Sequence, residues 1–181
     1  MSARTYAEFD PQVRGTPLPG LVVRASRLSD VEGLARVDIE VHDRGPMDTL
    51  IPLISTELEK IASGKLQRYS CVATLGGEVV GYGRCGVRDD SAVHEMFTGW
   101  ALTGVNVVPR WRRRHIAREL TLHRLEWLRG RTDRVFSWTA SDNEASKALH
   151  EAMGFALVAD DMLLPPDAAE RGWVYELRFT G

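Results

Sequence analysis

The stretch TGVNVVPRWRRRHIARELTLHRLEWL, residues 103–128, decides how the chain folds. It opens with β-branched valines at positions 105, 107 and 108, which favour a strand. Pro109 ends that strand, because proline has no N–H to donate to a β-ladder. From Ile116 to Leu128 the apolar residues recur at helical spacing. The stretch therefore predicts a strand, a turn and a helix.

The predicted turn is strongly basic. A helix start exposes unpaired N–H groups and the positive end of the helix dipole, so it favours an anion. A solvated helix start and a nucleic-acid patch are alternative interpretations, and the patch ranks last because the chain carries a net charge of −2. We favour a phosphate-bearing ligand, since such motifs require this strand–turn–helix context. Five arginines lie within residues 110–118: Arg110, Arg112, Arg113, Arg114 and Arg118.

Composition indicates a globular protein with one domain. The chain has 181 residues, of which 44% are hydrophobic and 27% are charged. We divide it into an N-terminal tail, residues 1–19, and a single domain, residues 20–181. Only three of the 23 basic residues are lysine, which is typical of a GC-rich bacterial genome.

Several classes of protein do not fit the sequence. No stretch is apolar enough to span a membrane, and the first residues lack the apolar core of a signal peptide. No residues have zinc-ligand spacing. We therefore expect a cytoplasmic protein that has no metal, no membrane partner and no nucleic-acid partner.

The patterns along the chain predict the order β, α, α, β, β, β, α, β, α, β, β. Residues 29–32 have capping-box spacing, with Ser29 as the cap of the first helix. Asp48 is expected to cap the second helix, where Pro52 fits only in the first turn. The order predicts an α/β fold of the α+β type, with a mixed, mostly antiparallel central sheet and helices on both faces.

Two predictions concern strand pairing. Gly76-Gly77 indicates a hairpin in which residue 71 faces residue 82. Cys85 then falls on the opposite face from Cys71, so no disulfide is expected unless a bulge intervenes. The final strand, WVYELRFT at residues 173–180, could pair with a second copy of the chain if its edge is exposed, which would give a homodimer.

The basic turn resembles motif A of the GNAT N-acetyltransferases. That motif reads Val-x-Pro, two residues, then Arg/Gln-x-x-Gly-x-Gly/Ala. The matching residues here are Val107, Pro109, Arg112 and Ala117. His115 stands where the family has its first glycine. Histidine tolerates the left-handed backbone region better than most residues, and its protonated ring would add a cation beside phosphate.

A second segment resembles motif B of the same family, Asn-x-x-Ala/Ser-x-x-Leu-Tyr-x-x-x-Gly-Phe. The matching residues are Asn143, Ser146, Leu149, Gly154 and Phe155. His150 stands in the place of the tyrosine. The resemblance covers roughly residues 21–160. It implies the GNAT-like acyl-CoA N-acyltransferase fold.

The resemblance implies that acetyl-CoA is the cosubstrate. In the family, the amides of the turn hold the pyrophosphate and the preceding strand runs beside the pantetheine arm. Core packing also explains the valine side chains, and helix capping also explains Asn143; both are compatible with donor binding. The residues assigned to the donor are Val105, Asn106, Val107, Arg112, Arg113, Arg114, His115, Ile116, Ala117, Arg118 and Asn143.

The resemblance also implies two catalytic candidates. The family's tyrosine at the place of His150 protonates the departing thiolate, and imidazole can do the same chemistry. A boundary histidine with a local hydrogen bond is the alternative. Glu95 lies where some members place a carboxylate base, although a charged loop explains it equally well and many relatives use a water chain.

An acidic face is a candidate for recognising a cationic amine, or is simply solvated: Asp38, Glu40 and Asp43.

We therefore predict an N-acetyltransferase that moves an acetyl group from acetyl-CoA to a primary amine of a small molecule or a protein. The alternative is a coenzyme A-binding sensor or interaction module without catalysis. His115 and His150, which depart from the family pattern, keep that alternative open.

Overall fold

The computed structural model describes residues 16–88, 98–163 and 171–179. Its helices are α1 (Val31–His42), α2 (Met47–Ala62), α3 (Ile116–Leu128) and α4 (Glu144–Ala152). Its strands are β1 (Leu21–Ala25), β2 (Arg68–Leu75), β3 (Glu78–Arg88), β4 (Gly99–Val107), β5 (Arg134–Ala140), β6 (Ala156–Leu163) and β7 (Arg171–Arg178). No helix within the described ranges is both long and apolar enough to cross a membrane.

The strands form one seven-stranded sheet in the order β1-β2-β3-β4-β5-β7-β6. Strands β4 and β5 run parallel, whereas the other neighbouring pairs run antiparallel. The predicted fold class, with its mixed and mostly antiparallel sheet, is confirmed. The predicted sequence of strands and helices is also the one observed.

Helices cover both faces of the sheet. Side chains alternate between the faces along each strand, so apolar residues on both faces need a helix to pack against. Val72 of β2 packs into a core with α1 and α2. Its neighbours Cys71 and Ala73 point the other way and pack against Ile116 and Leu120 of α3. Two apolar cores therefore hold the strands that carry the site between opposing helices.

A bulge changes the predicted register of the hairpin. Leu75 lies opposite Glu78 as expected, but the register shifts between Ala73 and Thr74, so Cys71 lies opposite Gly83 and not residue 82. Both Cys71 and Cys85 are free and buried. Burial raises the pKa of Cys71 to about 11 and that of Cys85 to about 12, so both thiols stay protonated.

The predicted cap of α1 is wrong. A short 3-10 turn precedes the helix, and the Asp30 carboxylate accepts the Arg27 N–H at 2.8 Å. The same carboxylate pairs with Arg24 at 2.7 Å, and this bond lowers the pKa of Asp30. Asp30, and not Ser29, is therefore the N-cap residue of α1, and its carboxylate binds the start of the preceding turn instead of the N–H groups of α1.

The start of α2 also differs from the prediction. Pro46 is the N-cap residue, and Asp48 lies in the first turn, where the helix dipole favours a carboxylate. Pro52 lies inside the helix, beyond its first turn. Both Asp48 and Pro52 are exposed. Water can therefore reach the Asp48 carbonyl, which loses its helical donor at Pro52.

Strand β7 is not an edge of the sheet. It pairs with β5 on one side and with β6 on the other, so it cannot add a second copy of the chain. The prediction that its edge is exposed is wrong, because β6 folds back outside it. A homodimer stays a prediction, but this strand is not its contact.

Close packing of α1 on β3 gives the first testable prediction. A Cβ at Gly33 would lie 2.6 Å from Val79 Cγ2 and 2.8 Å from Val79 Cβ. Alanine favours a helix over glycine by about 1 kcal/mol, but overpacking costs about 1–3 kcal/mol. We expect Gly33→Ala to lower the free energy of unfolding by roughly 1–2 kcal/mol, as measured by urea denaturation. The same change in a Val79→Ala background, which removes the γ-methyl groups, should cost less; an equal cost would exclude those methyl groups as the cause.

Candidate active site

Strands β4 and β5 separate part-way along their length. Ala101 lies opposite Phe136 and Leu102 lies opposite Ser137, and no later pair joins these two fully described strands. Residues 103–107 of β4 therefore run beside a gap in the sheet. Unpaired backbone groups along a gap can bind an extended chain as a missing strand would.

The gap leads to the basic turn. Pro109–Trp111 form a 3-10 turn after β4, and α3 starts at Ile116 with His115 as its N-cap. His115 has φ 62° and Arg113 has φ 61°, both in the left-handed region. The expected backbone conformation of His115 is confirmed, and that of Arg113 was not predicted. Backbone N–H groups in such turns converge on anions, and the helix dipole adds to the attraction.

The arginines of the turn do different things. Arg110 lies 2.6 Å from Glu40 and 2.7 Å from Glu78, so these carboxylates hold it away from the helix start. Arg112 donates from Nε to the Val107 carbonyl at 3.2 Å, which ties the turn to the end of β4. The Arg112 side chain therefore has a structural role beside any role toward a ligand.

Two more arginines flank the start of α3. Arg114 is exposed, with its guanidinium carbon 5.5 Å from the centroid of the Trp111 ring. Arg118 pairs with Glu119 at 2.9 Å, and its side chain is 51% exposed. Surface pairs of this kind contribute little to stability and exchange readily with other partners. Both side chains are therefore exposed near the start of α3.

The side chains of β4 support the strand from both faces. Val107 is buried and Val105 partly buried in the α3 core, so core packing of these valines is confirmed. Asn106 points to the other face, where its Oδ1 lies 2.7 Å from His42 Nε2 at the end of α1. The part of β4 expected to meet the donor is therefore its main chain.

Asn143 caps α4, as expected. Its side chain accepts the Ser146 N–H at 3.1 Å, and Gly154 beyond the helix has φ 85°. The cap fixes where α4 starts relative to the end of β5. Contact between Asn143 and the donor stays a prediction.

His150 lies where the gap begins. Its side chain is 6% exposed, and its Nε2 lies 2.6 Å from the Oγ of Ser137, the last residue of β5 that pairs with β4. The ring stacks on Tyr175 with 5.3 Å between centroids, and its Nδ1 lies 3.4 Å from Ser146 Oγ. Burial lowers the pKa of His150 to about 4, so the ring is neutral at pH 7.

The lowered pKa of His150 gives a prediction about stability and pH. In the unfolded chain this pKa is near 6.5, so between pH 6.5 and pH 4 the unfolded state binds a proton that the folded state does not. The free energy of unfolding should therefore fall as pH drops through this window. From pH 7 to pH 4 the wild type should lose on the order of 2–3 kcal/mol more than His150→Phe in urea denaturation. Parallel losses in the two proteins would contradict the low pKa.

The three acidic residues expected on one exposed face of α1 do not share the same environment. Asp38 is 3% exposed and accepts a short hydrogen bond from the Tyr82 hydroxyl, whose pKa is raised by burial. Glu40 is bound to Arg110, and Asp43 is exposed at the end of α1. The interpretation of Asp38 as part of an exposed acidic surface is wrong, because α1 turns this residue toward β3. Glu95 lies outside the described residues.

Sequence reasoning missed Ser137 and Arg124. Ser137 sits inside the strand RVFSWT, where only the partner across the fold reveals its contact with His150. Arg124 has the sequence appearance of a surface residue of α3, yet it is 1% exposed. Within the described ranges, no group of three or more His, Cys, Asp or Glu residues is arranged to hold a metal ion.

The chain was compared with the profiles of known protein families. The profile of the Acetyltransferase (GNAT) family matches residues 38–155, which is more than half of the chain. The chain is a member of the GNAT family. The family is one of acetyltransferases, and the seven-stranded, mostly antiparallel sheet with its helices is this chain's version of the family fold. No curated protein sequence matches the chain significantly.

Solved structures share the GNAT fold at low sequence identity. A ribosomal-protein-alanine N-acetyltransferase from Brucella melitensis is 21% identical with a TM-score of 0.67, over 87% of this chain and 99% of that one. An acetyltransferase structure from Salmonella typhimurium, with its cofactor acetyl-CoA, is 19% identical with a TM-score of 0.67, over 88% and 94%. The PaiA N-acetyltransferase from Thermoplasma acidophilum, in complex with coenzyme A, is 11% identical with a TM-score of 0.63, over 88% and 99%.

Proposed function

We propose that this GNAT chain transfers the acetyl group of acetyl-CoA to a primary amine of a small molecule or a protein. The observation that carries the proposal is the gap between β4 and β5, which leads to a basic helix start. A long ligand with phosphates at one end and an extended arm fits such a channel. The Salmonella and Thermoplasma structures, which contain acetyl-CoA and coenzyme A, support this choice of donor.

The residues of the turn suit the phosphates of the donor. The N–H groups of residues 115–118 start α3 and have no earlier helical carbonyl to bind. Arg112, Arg113 and Arg114 directly precede these groups in the chain and would supply positive charge to a phosphate there. We assign the pyrophosphate to this group of residues.

The backbone of residues 105–107 suits the pantetheine arm, and Asn143 adds an amide from the start of α4. When bound, acetyl-CoA supplies a thioester whose carbonyl carbon the amine attacks. A backbone N–H near Val107 would stabilise the negative charge that develops on the carbonyl oxygen. Residues of a fixed strand suit this role, because their N–H groups need no reorganisation during the reaction.

His150 and Ser137 would serve the departing thiolate. Because His150 is neutral at pH 7, it acts through an N–H and not as an imidazolium. With the proton on Nε2, the ring donates to Ser137 Oγ. The hydroxyl proton of Ser137 would then donate to the sulfur of the departing thiolate. A neutral donor of this kind stabilises sulfur charge at the mouth of the gap. For the base that deprotonates the amine, Glu95 and a water chain both stay proposals.

One observation favours a coenzyme A-binding module without catalysis. His150 already contacts Ser137 and Ser146, and these contacts suit a histidine that merely fills the core. In that case the chain would bind the donor and report its presence to a partner. Catalysis and binding must therefore be measured separately.

A thiol-release assay across a library of primary amines, next to a calorimetric titration with acetyl-CoA, tests the proposal. We expect saturable binding and release of coenzyme A that depends on the amine. Binding without release for any amine, including peptides with free N-termini and lysines, would favour the module. Failure to bind would contradict both functions.

A further inference from the structure

Helix α3 buries an arginine against the strand that carries the proposed donor site. Arg124 is 1% exposed and is among the largest fully buried side chains of the described residues. Its Nη1 donates to the carbonyls of Arg84 at 2.8 Å and Gly104 at 2.9 Å. Its Nε donates to the Leu120 carbonyl at 3.1 Å, and its Nη2 to Thr121 Oγ1 at 2.9 Å. All of these acceptors are neutral oxygens.

Two of these acceptors lie at a bulge in β4. The flanking pairs are Gly83 opposite Val105 and Cys85 opposite Leu102. Thr103 and Gly104 therefore share one partner, Arg84, and Gly104 has φ 122°. A bulge of this kind interrupts the hydrogen bonds of the ladder. Arg124 supplies donors to carbonyls on both strands at this point.

The sheet is shaped to admit the guanidinium. A Cβ at Gly83 would lie 2.8 Å from Arg124 Nε and 3.0 Å from Arg124 Cζ, so no larger residue fits without displacing the arginine. Burial of a charged side chain is costly unless polar groups surround it. The thiols of Cys71 and Cys85 nearby stay protonated and supply no opposite charge. The carbonyls of the bulge must hold the cation instead.

The bulge lies where β4 leaves β5. Leu102 is the last residue of β4 that pairs with β5, and Thr103 and Gly104 follow it directly. The shape of the bulge therefore sets the direction in which residues 105–107 continue along the gap. A rigid clamp on the Gly104 carbonyl fixes that direction.

We propose that Arg124 is a positioning residue for the donor site, which holds the β4 bulge and thereby the backbone of residues 105–107. This inference rests on the proposed function, because it assigns that backbone to the donor. Arg124 itself lies beneath the sheet and acts through β4. Its loss should therefore disturb the donor site more than an equal loss of overall stability would.

The first test compares Arg124→Met with a matched core variant of the same helix, Leu128→Ala. Leu128 is 0% exposed and packs in the neighbouring core, so its truncation also destabilises the protein. At a temperature well below both melting points, we expect the Kd for acetyl-CoA to rise at least about tenfold in Arg124→Met only. Amide exchange at Gly104 and Val105 should also accelerate in Arg124→Met only. Arg124→Lys should restore part of the binding.

A second variant keeps the arginine and moves it. Gly83→Ala places a methyl group against the guanidinium and should weaken donor binding and accelerate exchange at Gly104. This variant keeps the inference testable if Arg124→Met fails to fold. Normal binding and normal exchange in Gly83→Ala or Arg124→Met would overturn the positioning role. A wild type that does not bind acetyl-CoA would instead refute the proposed function, while exchange at Gly104 would still show whether Arg124 holds the bulge.

Discussion

A His150→Phe variant is expected to lose at least about a hundredfold in kcat while its Kd for acetyl-CoA stays within a few-fold. The ring of His150 meets Ser137 at the mouth of the β4–β5 gap, where the sulfur of the donor is assigned. Phenylalanine keeps the aromatic packing on Tyr175 but removes both ring nitrogens. Only steps that use an N–H should therefore suffer.

Two further variants separate catalysis from structure. His150→Tyr restores the family's own residue type and should recover part of the lost rate. Ser137→Ala should also lower kcat, as His150→Phe does, if the serine hydroxyl donates to the sulfur of the departing thiolate. Because His150→Phe leaves the buried Ser137 hydroxyl unpaired, it should also unfold about 1–3 kcal/mol more easily. Near-normal turnover, with only a lower melting temperature, would make His150 a structural residue.

Removal of the guanidinium at Arg112 or at Arg114 should weaken acetyl-CoA binding about tenfold or more, since a charge-assisted bond contributes about 1.5–3 kcal/mol. Arg112→Ala also removes the bond to the Val107 carbonyl and should lower the melting temperature. Arg114 is exposed, so Arg114→Ala should weaken binding with little change in stability. Titration calorimetry at low and moderate salt would measure the Kd for acetyl-CoA of each variant. Higher salt should reduce the difference in Kd between the variants and the wild type.

Arg129→Ala is the matched control for these two variants. Arg129 follows the other end of α3, its side chain is 64% exposed, and its loss removes the same charge from the chain. Donor affinity should stay within twofold of the wild type, to judge from the usual size of exposed charge effects of about 0–1 kcal/mol. Equal weakening by Arg129→Ala would reduce the role of the turn to net charge. Unchanged titrations in Arg112→Ala and Arg114→Ala would remove the phosphate assignment.

Local features of the site could be predicted from the sequence because each depends on a short stretch of chain. Pro109 and the change from β-branched to helical periodicity placed the end of β4 and the start of α3. The left-handed conformation of His115 followed from its place at a position that favours glycine. Asn143 was recognisable as a candidate cap because asparagine is favoured at the start of a helix, and the structure shows this bond to Ser146.

Features that depend on distant partners could not be predicted in this way. Nothing near Arg124 in the sequence indicates that Gly83 leaves room for it or that a bulge offers it carbonyls. Asp38 was assigned to a solvated face, since its partner Tyr82 lies on a strand far along the chain. The position of β7 inside the sheet depends on where β6 returns, which the alternating pattern of β7 does not show.

In the proposed function, acetyl-CoA lies between β4 and β5 with its phosphates on the start of α3. The most direct measurement is the change in backbone amide chemical shifts as acetyl-CoA is titrated into the isotope-labelled protein. We predict the largest, saturable changes at residues 105–107 and 113–118, and smaller ones along β1 and β6. Saturable binding with its largest changes elsewhere, or no binding, would contradict the account.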